Sequence, residues 1–174
     1  METMEATKAG DIREELLLHL DAAYNLAKWL TRDGQDAEDV VQESYLRAFR
    51  YIRSFRGDNV RSWLLTIVRN TCFSWLQGNR RPQDWLEFDE NVASSSRKEL
   101  NPEEMCLQGQ NAGLLRSAME RLPANFREVI VLRELEGMSY REISQIVGIP
   151  PGTVMSRLSR ARGELRQSLM AMAI

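Results

Sequence analysis

The chain has one histidine and two cysteines in 174 residues. A lone His19 is no metal-ligand cluster, and Cys72 and Cys106 make no disulfide framework. Each cysteine reads as a reduced apolar filler. There is no Cys-x-x-Cys pair, no phosphate-loop glycine pattern and no Gly-x-Ser-x-Gly elbow, so no redox, nucleotide-loop or hydrolase constellation emerges. No apolar run approaches the roughly 18 residues of a membrane helix. The acidic, mixed-charge N-terminus has no signal core. Acids at Asp36, Glu38 and Asp39 lack the alternating oxygen-ligand spacing of a calcium loop. These absences predict a cytoplasmic protein that is not an enzyme, needs no cofactor or metal and does not insert into a membrane.

A strong positive charge is also missing: the net charge is −2. Divided along the chain, however, the charge alternates. Residues 1–46 hold four Lys/Arg against eleven Asp/Glu, and residues 47–76 hold six Arg against Asp58 alone. Residues 77–110 are acidic again, four against seven, and residues 111–174 are basic, nine against six. Local field rather than total charge steers a phosphate backbone. Two positive blocks predict two DNA contacts, or one DNA contact and one interaction face.

Hydrophobic content of 43% and charged content of 28% are ordinary for a globular protein. The apolar spacing is helical throughout. Residues 12–32 read as one helix carrying Ile12, Leu16, Leu20, Tyr24, Ala27 and Leu30, with Asp11 as cap. Residues 36–53 read as the next, capped by Asp36, with Val40, Val41, Tyr45, Ala48, Phe49 and Ile52 as its stripe. Residues 55–59 (Phe-Arg-Gly-Asp-Asn) are a loop on composition. Residues 60–76 form a third helix with Trp63, Leu64, Ile67, Val68, Thr71 and Trp75 on its apolar side. Residues 78–110 have little period and read as a linker, with Trp85, Leu86 and Phe88 as docking exceptions and Asp84, Glu87, Asp89 and Glu90 as an acidic run. Helices at about 111–121, 124–134, 139–147 and 152–170 follow. The expected fold class is all-α: two small helical domains, 1–78 and 111–174, joined by a flexible linker at 79–110. The pattern stops near residue 170, so no added C-terminal sensory domain is expected.

The last two helices carry the chemistry. Residues 139–147 are broken by Gly148-Ile-Pro-Pro-Gly152, and a second helix then bears Arg157, Arg160, Arg162 and Arg166. This is a helix-turn-helix with a basic second helix, which places side chains in a major groove. Ile143, Val147, Val154, Leu158, Ala161 and Leu165 form its buried seam. Met155, Ser156, Ser159 and Arg160 lie on another side. Arg160 can donate two hydrogen bonds to guanine. Arg157, Arg162 and Arg141 suit phosphates.

Three signatures now stand in order: Asp36-Ala-Glu-Asp-Val-Val-Gln-Glu43, Arg61-Ser-Trp-Leu-Leu-Thr-Ile-Val-Arg-Asn70, and Leu122-Pro123 followed by the helix-turn-helix. With them the chain resembles a bacterial alternative sigma factor of the extracytoplasmic-function type, in the sigma-70 family. The resemblance implies a transcription initiation subunit that joins bacterial core RNA polymerase and promoter DNA. It implies that the first domain engages the −10 element, the second the −35 element, and that an anti-sigma factor controls the chain. By the same resemblance, Asp36, Asp39, Gln42 and Glu43, followed by Tyr45 and Leu46, bind the core polymerase. Arg53, Phe55, Arg56, Asp58, Asn59, Arg61 and Asn70 hold the −10 strand. Such capture needs positive charge for phosphates and flat or polar groups for unstacked bases. Met155, Ser156, Arg157, Ser159, Arg160 and Arg162 contact the −35 duplex. Met155 stands where the family often has a basic residue. The linker is expected to run through a basic channel of the polymerase, and the anti-sigma factor to wedge between the domains.

Two other readings use the same residues. A stand-alone regulator would grip duplex DNA with residues 111–174 and sense with the first domain. A protein-interaction module would carry vestigial DNA faces. The acidic patch at 36–43 beside the Arg-rich block at 50–61 favours the sigma subunit, because a sensor domain has no need of that pair.

Overall fold

The computed structural model describes residues 2–79 and 109–172, and the side chains of 10–78 and 112–172. The linker and its Trp85, Leu86, Phe88, acidic run and Cys106 lie outside the described residues. Every regular element among them is helical: α1 (Glu2–Leu18), α2 (Leu20–Thr31), α3 (Gly34–Tyr51), a 3₁₀ turn (Ile52–Ser54), α4 (Val60–Asn79), α5 (Gly109–Arg121), α6 (Ala124–Ile130), a π-helical turn (Val131–Leu135), α7 (Tyr140–Val147) and α8 (Pro151–Met172).

In the first domain, α2, α3 and α4 pack mutually. Leu26, Ala27 and Leu30 from α2, Ala37, Val40 and Ala48 from α3, and Leu64, Leu65 and Val68 from α4 are buried at their centre. Small residues at Ala23, Ala27, Ala37 and Ala48 let the helices approach closely. Cys72 is buried there too, and desolvation pushes its thiol up to about 12. It is a protonated apolar filler.

Two helix boundaries differ from the sequence expectation. The single helix at 12–32 is split at His19, whose N–H donates to the Leu16 carbonyl at 3.1 Å. The buried Tyr45 hydroxyl donates to the same carbonyl at 2.7 Å. A tertiary bond thus takes over an acceptor at the end of α1, which no local pattern announces. Asp11 lies inside α1 rather than capping a helix. At α3 the cap is Asp33, not Asp36. The Asp33 carboxylate accepts from the Gln35 and Asp36 N–H groups at 2.8 and 3.1 Å. Asp36 sits one turn in, where the helix dipole still favours its charge.

In the second domain, α5, α6 and α7 all pack on α8. Arg127, 1% exposed, is the polar centre of this unit. Its guanidinium donates to the carbonyls of Met119 and Glu120 at 3.0 and 3.3 Å, and to that of Leu122. These are C-terminal carbonyls of α5 and the turn after it, groups that a helix leaves without internal partners. A buried cation is tolerated because all three guanidinium nitrogens donate to backbone carbonyls.

The helix-turn-helix is locally over-determined. Ser139 and Glu142 form a reciprocal capping box at the start of α7. Gly148 closes α7 with φ 76°, a left-handed conformation that suits glycine. The Ser144 hydroxyl donates to the Ile149 carbonyl at 2.6 Å, bracing the turn. Pro151 then opens α8, where its missing N–H costs nothing. Ile143, Val147, Val154, Leu158 and Ala161 are buried as the spacing predicts, Ile146 joins them, and Leu165 is half-buried.

The Ser139 N–H and hydroxyl hold the Glu142 carboxyl below its ordinary value. A depressed acid contributes stability above its unfolded pKa, and the contribution is lost as pH falls through the folded value. Ser139→Ala is expected to cost about 1 kcal/mol of unfolding free energy at neutral pH. Urea denaturation should show the deficit narrowing below about pH 4. An undiminished deficit in acid would mean that the carboxylate plays no part.

Candidate DNA and protein interface

The structure sorts the expected site residues into three surfaces. The first lies on α3 and the facing side of α4. Asp39, Gln42 and Glu43 are exposed and Asp36 half-buried. Glu43 pairs with Arg47 at 2.7 Å, one helical turn on, and Arg47 reaches Thr71 at 3.5 Å. A groove of about 300 Å³ opens beside them, lined by Asp39, Val40, Glu43, Arg47, Thr71, Ser74 and Trp75. Leu46 stands in solvent at 62% exposure. Tyr45, next to it, points into the core. The surface joins acids, one exposed leucine and a partly buried indole, a mixture suited to a protein partner.

The second surface is the 55–59 loop and the first turns of α4. Arg53, Arg56, Asp58 and Asn59 are exposed. Arg56 bends back, donating to the Arg53 carbonyl at 2.6 Å. Phe55 departs from its expected role. It is 8% exposed, and its ring lies 4.8 Å from the Trp63 ring. It is the floor of the loop, and no base can stack on it as placed. A Cβ at Gly57 would come within 3.1 Å of that ring, so any side chain there would press on Phe55. Asn59 also has a structural role, since its Oδ1 accepts from the Ser62 N–H at 2.8 Å and caps α4. Only its amide nitrogen is available to a ligand. Asn70 is exposed farther along α4.

The third surface is the outer side of α8. Met155, Ser156, Ser159 and Arg160 are exposed on it, over the buried seam of the helix-turn-helix. The Ser156 hydroxyl donates to the Thr153 carbonyl at 3.0 Å. Arg162 is anchored by Glu134 of the π-helical turn, at 2.6 Å. Arg157 turns inward instead of facing this side.

Residues that the sequence did not single out tie these surfaces together. The second domain packs on the first, α7 on α4, and α6 and the π-helical turn on α2. Glu128, fully buried, accepts from Arg69 of the first domain at 2.8 Å and from Arg157 of α8 at 3.4 Å. Burial pushes its carboxyl upward, while the Arg69 hydrogen bond and both positive charges pull it back. Glu136 pairs with Arg61 at 2.6 Å and accepts from the Asn25 amide at 3.2 Å. Glu142 accepts from the Asn59 amide at 3.0 Å. Arg127 donates to the Trp29 carbonyl at the end of α2, at 3.0 Å. His19 lies close enough to Arg61 for that charge to add to desolvation in lowering its pKa. The only sequence signal for these contacts was that Arg-rich and Glu-bearing helices had to go somewhere.

Removing one member of a buried pair leaves the other without compensation. Glu128→Ala should cost about 3 kcal/mol or more. In a double-mutant cycle with Arg69→Ala, denaturant unfolding should give a coupling of at least about 1 kcal/mol. Strict additivity would mean that the two side chains do not interact.

Residues 17–82 match the family described as Sigma-70 region 2, and residues 112–165 match Sigma-70, region 4. The chain is 38% identical over 168 residues to an ECF RNA polymerase sigma-E factor of Salmonella typhimurium (strain LT2), covering 91% of this chain and 88% of that one. It is 37% identical over 168 residues, with the same coverage, to the ECF RNA polymerase sigma-E factor of Escherichia coli (strain K12). Among solved structures, the sigma factor RpoE in complex with the anti-sigma factor NepR from Bartonella quintana is similar, with a TM-score of 0.69 and 32% identity. That match covers 92% of this chain and 97% of RpoE.

Proposed function

The chain belongs to the extracytoplasmic-function sigma factors of the sigma-70 family, and from that premise we propose how its three surfaces divide the work of transcription initiation. As a sigma factor it directs core RNA polymerase to promoters. The α3 face, with Asp36, Asp39, Gln42 and Glu43, docks on a basic surface of the core enzyme, its sign matching such a partner. Leu46 and the groove beside Trp75 supply the apolar part of that contact.

The 53–61 loop takes the displaced −10 strand. Arg53, Arg56 and Arg61 meet its phosphates, while Asp58, the Asn59 amide and Asn70 meet an unstacked base. Phe55 serves by holding the loop over Trp63. On α8, Arg160 and the two serines read base edges of the −35 duplex, and Met155 offers apolar contact of the kind a thymine methyl accepts. Arg157 and Arg162, held by Glu128 and Glu134, position the helix rather than read sequence. The observation that carries this division is the outward display of Met155, Ser156, Ser159 and Arg160 on a braced helix-turn-helix.

The chain itself performs no chemistry in this scheme. No described helix is long and apolar enough to cross a membrane, and the work is placed in the cytoplasm, where the polymerase acts. The RpoE relative was solved with an anti-sigma factor, which supports a similar partner here. Because the two domains already touch, a partner that wedges between them has to displace the Glu128 and Glu136 contacts. One that wraps the outside needs only the exposed α3 and α8 faces.

Runoff transcription with purified core polymerase tests the reading. Specific initiation should require the chain. Asp39→Lys with Glu43→Lys should abolish it by weakening core binding while the isolated chain stays folded. Arg160→Ala should cost about 1–3 kcal/mol of discrimination at a single −35 position. Tight operator binding without polymerase, and no effect of the Lys pair, would favour a stand-alone regulator instead.

A further inference from the structure

We propose that the second domain masks part of the −10 strand surface of the first, at Arg61 and Asn59, with carboxylates that occupy the places of DNA groups, and leaves the base-reading side of α8 exposed. The inference rests on the assignment of Asn59 and Arg61 to the −10 strand. The masking groups come from one short stretch. Glu136 uses both oxygens, one for Arg61 and one for Asn25, much as a phosphate presents two acceptors to a clamp. Glu142 takes the one part of Asn59 that helix capping leaves available. Farther along α4, Glu128 takes Arg69. Two residues assigned to the −10 strand, Arg61 and Asn59, are thus filled by acceptors of like chemistry from α7 and the turn before it, and Arg69 on the same helix as Arg61 by one from α6.

The mask is built rather than incidental. The Glu136 side chain is 6% exposed, so its charge is withdrawn from solvent and held by Arg61. Glu142 is fixed by its own capping box, with one oxygen committed to Ser139 and the other facing Asn59. α7 packs on α4 beside these contacts. A phosphate that reaches Arg61 has to compete with Glu136 for the guanidinium.

The arrangement is asymmetric. Met155, Ser156, Ser159 and Arg160 remain exposed while the domains are together. A closed chain can therefore still touch duplex, while a single strand meets only the part of its surface that Arg53, Arg56, Asp58 and Asn70 leave exposed. Apparent affinity for the strand is reduced by the fraction of open chain, whereas duplex affinity is not. Polymerase binding that parts the domains would release the strand surface only where melting is to occur.

The test uses the full chain and fluorescence anisotropy with two labelled probes, an oligothymidylate strand and a mixed-sequence duplex. Glu136→Gln with Glu142→Gln keeps the shapes, and glutamine is accepted in a capping box. This pair should bind the strand at least about fivefold more tightly than the parent and the duplex equally well. Glu120→Gln with Glu164→Gln removes the same charge from the same domain away from the contact, and should change neither. Glu136→Gln alone, which leaves the capping box whole, should show part of the gain and guards against misfolding. An equal gain from the control pair, or an equal gain on duplex, would reduce the effect to net charge and overturn the proposal. So would unchanged strand binding by the folded interface variants. Runoff transcription with Arg61→Ala separates the two layers. Loss of initiation together with unchanged strand binding by the interface variants would sink the mask and keep the −10 assignment. Full initiation would sink the assignment itself.

Discussion

A carboxylate cannot be taken fully out of water without partners, and Glu128 is the place where this chain meets that constraint. It lies on α6 with both oxygens engaged, one by Arg69 of the first domain and one shared toward Arg157 of α8. Its neighbour Arg127 is equally buried and reaches the other way, to carbonyls of α5 and to Trp29 at the end of α2. Two adjacent residues of opposite charge thus fix the second domain internally and tie it to the first. Desolvation and pairing nearly cancel in such sites. Their consequence is therefore less a large gain in stability than a single arrangement in which the polar groups are satisfied. It is also an arrangement that can be exchanged, because Arg69 has solvent on one side and Arg157 stays with Glu128 if the domains part.

The same pairing runs through the proposed DNA surfaces. Arginines proposed to meet phosphate in a promoter complex are held by glutamates in the free chain: Arg61 by Glu136, Arg157 by Glu128, Arg162 by Glu134. A sigma factor with unmatched basic faces would bind any nucleic acid in the cell, since phosphate contacts carry no sequence information. Internal partners raise the threshold, so that productive contact needs the polymerase to set the geometry.

Much of this was legible in the sequence, and the boundary of legibility is physical. The helix-turn-helix was readable because its devices are local: the Ser139 and Glu142 box, the Gly148 terminus and the Pro151 start all lie within a few residues of what they control. The seam from Ile143 to Ala161 followed from spacing alone. The break at His19 was not readable, because it depends on Tyr45, distant in sequence, reaching the Leu16 carbonyl. The burial of Phe55 was unreadable for a related reason: an aromatic ring in a polar loop looks exposed until Trp63 is placed against it. The domain contact was least legible of all. Its pairs, such as Arg61 with Glu136 and Arg69 with Glu128, join blocks that the sequence shows only as basic and mixed.

The central claim is that the chain holds itself shut through these contacts and that core polymerase opens it. Distance measurements between spin labels at Gln77 on α4 and Gln167 on α8, both exposed and outside the proposed surfaces, test this directly. The account predicts one short, narrow distribution in the free chain and a distinctly longer one in the complex with core enzyme. The same distribution in both states would contradict it.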